Sequence, residues 1–281
     1  MVIEKVSPLI KWVGGKSQLL PVLSEHVPEK LGRYFEPFCG GAALFFHLQP
    51  EQGLISDLNP RLINFYTQVA DDPDAVIEQV RKFASRFGGE GVDRKSVFLE
   101  LRHLFNKMIP ETPEAAALFL VVNKTAFNGL YRENLAGDFN VPFNSFKSIP
   151  KFFDEDNFSR ASTLLRGATI KEAGYVETVA EAKSGDFVYF DPPYVPLSPT
   201  ASFTSYTSKS FNELNQLELI DVAKSLRDSG VMVLLSNSYS DWVVDHYNKA
   251  GFEVNSVSAS RNVAARASSR SRVQEALIKG Y

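Results

Sequence analysis

Residues 187–194 read FVYFDPPY. Phe187, Val188, Tyr189 and Phe190 are β-branched or aromatic, and the run has the length and composition of a buried strand. It stops at Asp191, Pro192, Pro193 and Tyr194. Neither proline offers a backbone N–H to a ladder, so the strand ends there. Two readings follow. The stretch is a strand stop with a solvated aspartate, or it is a rigid polar site at the carboxyl edge of a sheet, where open α/β folds bind ligands.

The flanking sequence alternates strand and helix. YFEPFC (34–39) is apolar and runs into Gly40-Gly41, and AALFFHL follows with helical spacing. Leu54 to Asp57 is a short strand, after which Asn59 suits an N-cap and Pro60 a first turn. Leu62, Ile63, Phe65, Tyr66 and Val69 form the apolar stripe of that helix. Leu214, Leu217, Ile220, Ala223 and Leu226 recur at helical period until Gly230, a C-cap candidate. VMVLLS (231–236) is a near-continuous buried strand, followed by a helix ending near Gly251 and a strand from Phe252. The alternation predicts an α/β fold: a Rossmann-like, mostly parallel sheet with helices on both faces.

From Tyr66 to Thr163 the alternation lapses into helical segments, and NKTAFNGLYRENLAGDFNVPFNSFKSIP (123–150) mixes aromatics, amides, turn glycines and basic residues. The expected organisation is a main domain of residues 1–65 and 164–281 with an inserted, mainly helical domain at 66–163.

Composition narrows the class. With 281 residues, 44% hydrophobic and 22% charged, the chain has the make-up of a soluble globular protein. No apolar run approaches the ~20 residues of a membrane span, and no signal peptide is apparent. The single cysteine, Cys39, excludes an internal disulfide and fits a reducing cytoplasm as a small buried residue. The four histidines lie far apart, so no metal is expected. The net charge of -3 hides an asymmetry: from Ser258 to Tyr281, Arg261, Arg266, Arg270, Arg272 and Lys279 face one acid, Glu275. That tail is either a solvated loop or a phosphate-contacting segment.

Two further stretches carry chemistry. In EPFCGGAALFF a glycine pair between strand and helix lets a ligand approach the backbone. Asp57 ends the next strand, at the distance of an acceptor for ribose hydroxyls in nucleotide-type sites, although a structural turn and a surface aspartate explain the pattern equally. In IKWVGGKSQLL, Trp12 offers a flat apolar face, and Lys16 sits at a helix start where it opposes the macrodipole. Lys16 therefore requires an anion: a ligand carboxylate or phosphate, or a salt-bridge partner.

Taken in order, KWxGGK, FEPFCGG, SDLNP, NKxxFNGLYRxNxxGxFNVPF and DPPY resemble the Dam-type DNA adenine-N6 methyltransferases, the alpha group of the D12 class, over nearly the whole chain. The resemblance implies a class I methyltransferase fold, S-adenosylmethionine as cofactor, no metal, and methyl transfer to the N6 amino group of an adenine flipped out of double-stranded DNA. Trp12, Lys16, Phe35, Pro37, Cys39, Gly40, Gly41, Asp57 and Asp191 match cofactor-binding positions. Asp191 and the Pro192 carbonyl would accept the two N–H bonds of the target amine, Pro193 stiffens the turn, and Tyr194 would stack on the base. Lys11, Lys124, Asn128, Tyr131, Arg132 and Asn134 match DNA-contacting positions, and Arg261, Arg266, Arg270 and Arg272 match a basic hairpin loop.

The segment 194–211 resembles the loop of the GATC-methylating branch, so GATC is the expected site. Lys124-Thr125-Ala126 departs from the Arg-Tyr-Gly of the best-known GATC enzymes, and a lysine lacks arginine's bidentate fork. A methylase of the same fold acting on RNA adenine or protein glutamine, an adenine methylase with a non-GATC site, and a cofactor-dead DNA-binding relative are the competing readings. The intact DPPY, Asp57 and Lys16 speak against the last.

Overall fold

The structure of the protein, a computed structural model, describes residues 4–195, 211–260 and 272–281. Its strands are β1 (Tyr34–Glu36), β2 (Gly53–Asp57), β3 (Thr169–Glu172), β4 (Phe187–Phe190), β5 (Met232–Ser238), β6 (Glu253–Ser260) and β7 (Arg272–Gly280). The helices are α1 (Leu20–Glu25), α2 (Ala43–Leu48), α3 (Pro60–Asp71), α4 (Pro73–Ser85) and α5 (Arg94–Lys107). They continue with α6 (Pro113–Thr125), α7 (Glu155–Arg166), α8 (Tyr175–Val179), α9 (Glu213–Asp228) and α10 (Asp241–Lys249).

The seven strands form one sheet in the order β3-β2-β1-β4-β5-β7-β6. β1 is parallel to β2 and to β4, and β4 is parallel to β5. β7 runs antiparallel to both β5 and β6, so β6 points the same way as β5. The expected mostly parallel α/β sheet therefore forms, with β7 reversed. The order turns back between β1 and β4. In such sheets the crevice beyond the carboxyl ends of the strands at this switch receives the ligand.

FVYF explains its own position. β4 is flanked on both sides, and all four of its residues are buried. One face feeds a core in which Phe35, Val188, Phe190, Val233 and Leu235 pack with Leu219, Ala223 and Leu226 of α9 and Val243 and Tyr247 of α10. On the other face the Tyr189 hydroxyl meets Ser236 Oγ at 2.8 Å, so the buried polar atom is satisfied.

Local signals set the helix starts. Asn59 caps α3 by accepting from the Arg61 and Leu62 N–H groups, with Pro60 in the first turn, and the stripe from Leu62 to Val69 is buried. In α9 the stripe differs from expectation. Leu214 is 74% exposed, Leu217 is also exposed, and the inward positions are Gln216, Leu219, Ile220, Ala223 and Leu226. An amide takes the place of a leucine because it bridges two other segments, as described below.

By internal contacts the chain divides into two compact units: residues 1–15, 40–49 and 57–172, and residues 16–39, 50–56 and 173–281. The second contains β1, most of β2, β4 to β7 and the core just described. In the first, α6 packs against α3, α4 and α5 and is buried on all sides from Ala115 to Asn123. It reads as apolar throughout because no face of it meets water. The expected inserted block, 66–163, falls within this unit.

Leu235 is fully buried on β5, an interior strand paired with β4 and β7. Leu235→Ala should destabilise the protein by ~2–5 kcal/mol, read from urea unfolding. A loss well under 1 kcal/mol would show that β5 is not central to the core.

Candidate active site

Asp191 follows the carboxyl end of β4 and pairs with Lys16, Nζ to Oδ1 at 2.8 Å, with side-chain exposures of 6% for the lysine and 19% for the aspartate. The anion that Lys16 requires is thus supplied by the chain. Lys16 Nζ also lies 4.9 Å from the centroid of the Tyr194 ring, within cation–π range. The Tyr194 hydroxyl donates to Glu275 Oε2 of β7 at 2.7 Å. Burial pushes the Asp191 carboxyl above the ordinary carboxylate range; Lys16 pulls it back, Glu275 adds to the rise, and the Tyr194 hydroxyl lowers it. Tyr194 is raised by burial first, then by the charge of Asp191.

The turn after Asp191 is held by its backbone. Gln216 of α9 donates from Nε2 to the Pro193 carbonyl at 2.8 Å, and its Oε1 accepts from Asn237 Nδ2 at 3.1 Å. Asn237 Oδ1 in turn accepts from the Val195 N–H at 3.1 Å. Both amides are buried, at 2% and 0% exposure, so their hydrogen bonds are costly to leave unmade. Among the described residues the Pro192 carbonyl accepts no hydrogen bond. Gln216, Asn237 and Glu275 were not legible as site residues. Only the run of polar residues ending VMVLLSNS hinted that β5 finishes on something other than core.

A second constellation surrounds Asp57. Its Oδ1 accepts from the Asn59 N–H at 3.0 Å and its Oδ2 from the Gly40 N–H at 3.2 Å. Burial raises its pKa, and the backbone N–H groups of Asn59, Gly40 and Leu58 counter the rise. No cation pairs with it among the described residues. A carboxylate has about four lone-pair sites, so this one keeps acceptor capacity for hydroxyl donors. That spare acceptor capacity fits the hydroxyl donors of a nucleoside-type ligand. Gly40 adopts a φ of +44° and hydrogen-bonds through its carbonyl to the Tyr66 hydroxyl at 2.7 Å. A Cβ there would lie 2.6 Å from Trp12 Cδ1, so glycine is needed to let the indole lie against the turn. Phe35, Pro37 and Cys39 are buried, with Phe35 in the sheet core and the Cys39 N–H donating to the Ser56 carbonyl at 2.9 Å.

The candidate DNA-contacting residues that can be described share the first unit. Lys11 is exposed, and its main chain is clamped by Asn123, whose Oδ1 accepts from the Lys11 N–H at 3.0 Å and whose Nδ2 donates to the Lys11 and Gly129 carbonyls. A Cβ on Gly129 would come within 2.4 Å of Lys11 Cβ. Lys124 ends α6 half-buried, held down to about 8 by burial and by the charge of Lys11. Asn128 is exposed with a φ of +55°. Tyr131 stacks on Trp12 at 5.4 Å and donates to Glu133 at 2.5 Å. Arg132 donates from Nε to Asn140 Oδ1 at 2.7 Å, and Asn134 Oδ1 accepts from the Ala136 and Asp138 N–H groups at 2.9 Å. Asn134 therefore shapes the turn at 134–138. Asn123, missed in the sequence, is a buried amide inside an apolar helix, and that was its only signal. Arg261, Arg266 and Arg270 lie outside the described residues, as does most of the loop at 194–211, and only the backbone of Arg272 is described, at the start of β7. Among the described residues no group of three His, Cys, Asp or Glu could hold a metal, and no helix is long and apolar enough to cross a membrane.

Comparison with known proteins gives these arrangements a context. The sequence profile of the family described as "D12 class N6 adenine-specific DNA methyltransferase" matches residues 12–263. The chain is 40% identical to the type II methyltransferase M1.LlaDCHI of Lactococcus lactis subsp. cremoris, over 98% of this chain and 95% of that one. It is 38% identical to the type II methyltransferase M.MjaIII of Methanocaldococcus jannaschii, over 99% and 100%. It is 32% identical to the DNA adenine methylase of Escherichia coli K12, over 98% and 95%.

Breaking a buried ion pair from one side leaves a charge without a partner, at a cost of roughly 3–5 kcal/mol. Lys16→Met should cost that much stability at neutral pH. The loss has a defined pH dependence. Asp191 titrates higher in the folded chain than in the unfolded one, so protonating it favours the fold. The deficit is full while the unpaired carboxylate is charged and shrinks as pH falls through its raised pKa. Asp191→Asn in the Lys16→Met background should recover most of it. A deficit that is the same in acid and at neutral pH, by urea unfolding, would mean that Lys16 does not compensate Asp191.

Proposed function

The chain belongs to the D12 class of N6 adenine-specific DNA methyltransferases, and from that premise we propose that it uses S-adenosylmethionine to methylate adenine within GATC in double-stranded DNA. The observation that carries the reading is the end of β4. There a carboxylate held by a lysine stands next to a carbonyl that accepts no hydrogen bond among the described residues, in a turn pinned on its far side by Gln216 and Asn237.

An adenine amino group is a poor nucleophile because its lone pair is delocalised into the ring. Attack on a methyl carbon needs the nitrogen to become more tetrahedral and to carry positive charge. Asp191 Oδ2 and the Pro192 carbonyl would each accept one of its N–H bonds, which favours that geometry and charge. Lys16, engaged through Oδ1, fixes the carboxylate in place and helps keep it ionised against the burial that raises it. The ring of Tyr194, backed by the Lys16 ammonium, would stack on the flipped base. Asp57 would accept from ribose hydroxyls, with Trp12 and the Gly40 turn shaping the cofactor's surroundings. S-adenosylmethionine, when bound, supplies a methyl group activated by its sulfonium, and no metal is required.

We assign target reading to residues 66–163. Lys11, locked by Asn123, and Lys124 present two cations close enough to repel each other, which suits acceptors on guanine edges or phosphates. Lys124 stands where the best-known GATC enzymes have arginine. The GATC assignment rests on the likeness of the surrounding stretch and of the loop at 194–211 to that branch.

Incubating plasmid lacking methyladenine with the enzyme and S-adenosylmethionine should yield N6-methyladenine on nucleoside mass spectrometry, and protection only from endonucleases blocked by methylated GATC. Asp191→Ala should lose methyl transfer by at least about a hundredfold, the scale of one transition-state charge-stabilising group, while DNA affinity holds. Protection at another sequence would replace the GATC assignment. Near-normal turnover in Asp191→Ala would remove the amine-acceptor role.

A further inference from the structure

Glu275 stands apart from the pattern around it. In the sequence it is the one acid of a basic tail. In the fold it lies on β7, opposite Ser238 of β5 and Val257 of β6, where its carboxylate meets Tyr194 across 81 positions. The donor at 2.7 Å is a phenol whose ring also takes the Lys16 ammonium. Asp191 is the neighbouring carboxylate, and the Tyr194 hydroxyl lowers its titration while Glu275 raises it.

We propose that Glu275 is a positioning residue for methyl transfer: it engages the Tyr194 hydroxyl, so the ring is fixed for stacking and the free oxygen of Asp191 is kept for the target amine. This rests on the function proposed above. A phenol half-buried beside two carboxylates donates to one of them. With Glu275 present the donor goes to β7. Without it the remaining acceptor is Asp191, and a hydroxyl bound there competes for the lone pair that the amine needs. A charge-assisted hydrogen bond also holds the ring in one rotamer, and its loss frees the stacking surface.

The test measures turnover, substrate constants and base extrusion together. Extrusion is followed by the fluorescence of 2-aminopurine at the adenine position that the wild-type enzyme methylates. Glu275→Ala should lower kcat by roughly tenfold or more, the worth of a hydrogen bond to a charged group, with KM for S-adenosylmethionine and DNA affinity little changed. The 2-aminopurine signal should change, reporting a base less firmly stacked. Glu275→Gln keeps an acceptor for the hydroxyl and should recover most of the rate. Tyr194→Phe removes the donor, so adding Glu275→Ala to it should cost nothing further, and this variant keeps the question open to measurement if Glu275→Ala folds poorly. Multiplicative losses in the double variant would overturn the proposal, as would Glu275→Gln as slow as Glu275→Ala, or Glu275→Ala at wild-type turnover. If the wild-type enzyme transfers no methyl group to adenine, the proposed function fails and this inference with it. Active wild type with an indifferent Glu275 sinks only the inference.

Discussion

The ion pair between Lys16 and Asp191 is the constraint around which the rest of the site is arranged. Each charge taken out of water costs several kcal/mol, and attraction in the interior offsets this only when geometry and further hydrogen bonds are good. At 2.8 Å with both side chains largely buried, exchanging either residue alone leaves the other charge without its partner. A pair of this kind is weak evidence for stability. It is stronger evidence that a carboxylate is needed at that place, because an apolar pair would hold β4 and the Lys16 segment together at least as well. Glu275 adds to the rise of the Asp191 carboxyl and accepts the Tyr194 hydroxyl. In the proposed reaction the Asp191 carboxylate would favour the positive charge that develops on an amino nitrogen.

The sheet brings this about with little local strain. β4 is buried at every position because it lies inside a parallel array, and the two prolines end it where the strand order reverses. Fixing φ at both prolines lowers the entropy lost in holding the turn. Gln216 and Asn237 then engage the Pro193 carbonyl and the Val195 N–H, while among the described residues the Pro192 carbonyl accepts no hydrogen bond. In the proposed reaction, rigidity at the backbone and a single pinned carboxylate oxygen would give an acceptor pair that does not have to reorganise when charge appears.

Much of this was legible in the sequence, for identifiable reasons. FVYFDPPY specified a strand, its burial and its stop, because composition and proline geometry act locally. Asn59-Pro60 specified a cap that forms as expected. The requirement of Lys16 for an anion was also legible, but not that the anion is Asp191, since a ligand and a salt bridge answer the same dipole argument. Periodicity failed in the first turns of α9, where Leu214 and Leu217 face solvent and Gln216 faces in. Apolar spacing marks which positions are buried only when burial is decided by hydrophobicity, and here a hydrogen-bonding duty decided it. Glu275 was invisible for a different reason: the reversed strand β7 sets its register by pairing with β5 and β6, which no local pattern reports. Asn123 was hidden in the same way, because its role depends on Lys11 at the other end of the unit's chain.

The claim that Asp191 serves two masters, Lys16 through one oxygen and the amine through the other, is open to direct observation. A crystal structure with a duplex containing the target and an unreactive analogue of S-adenosylmethionine would show it. The account predicts the adenine N6 within ~2.7–3.2 Å of both an Asp191 oxygen and the Pro192 carbonyl, with Lys16 still on Asp191. An extruded adenine whose amino group meets neither acceptor, or a Lys16 withdrawn from Asp191 to the cofactor, would contradict it.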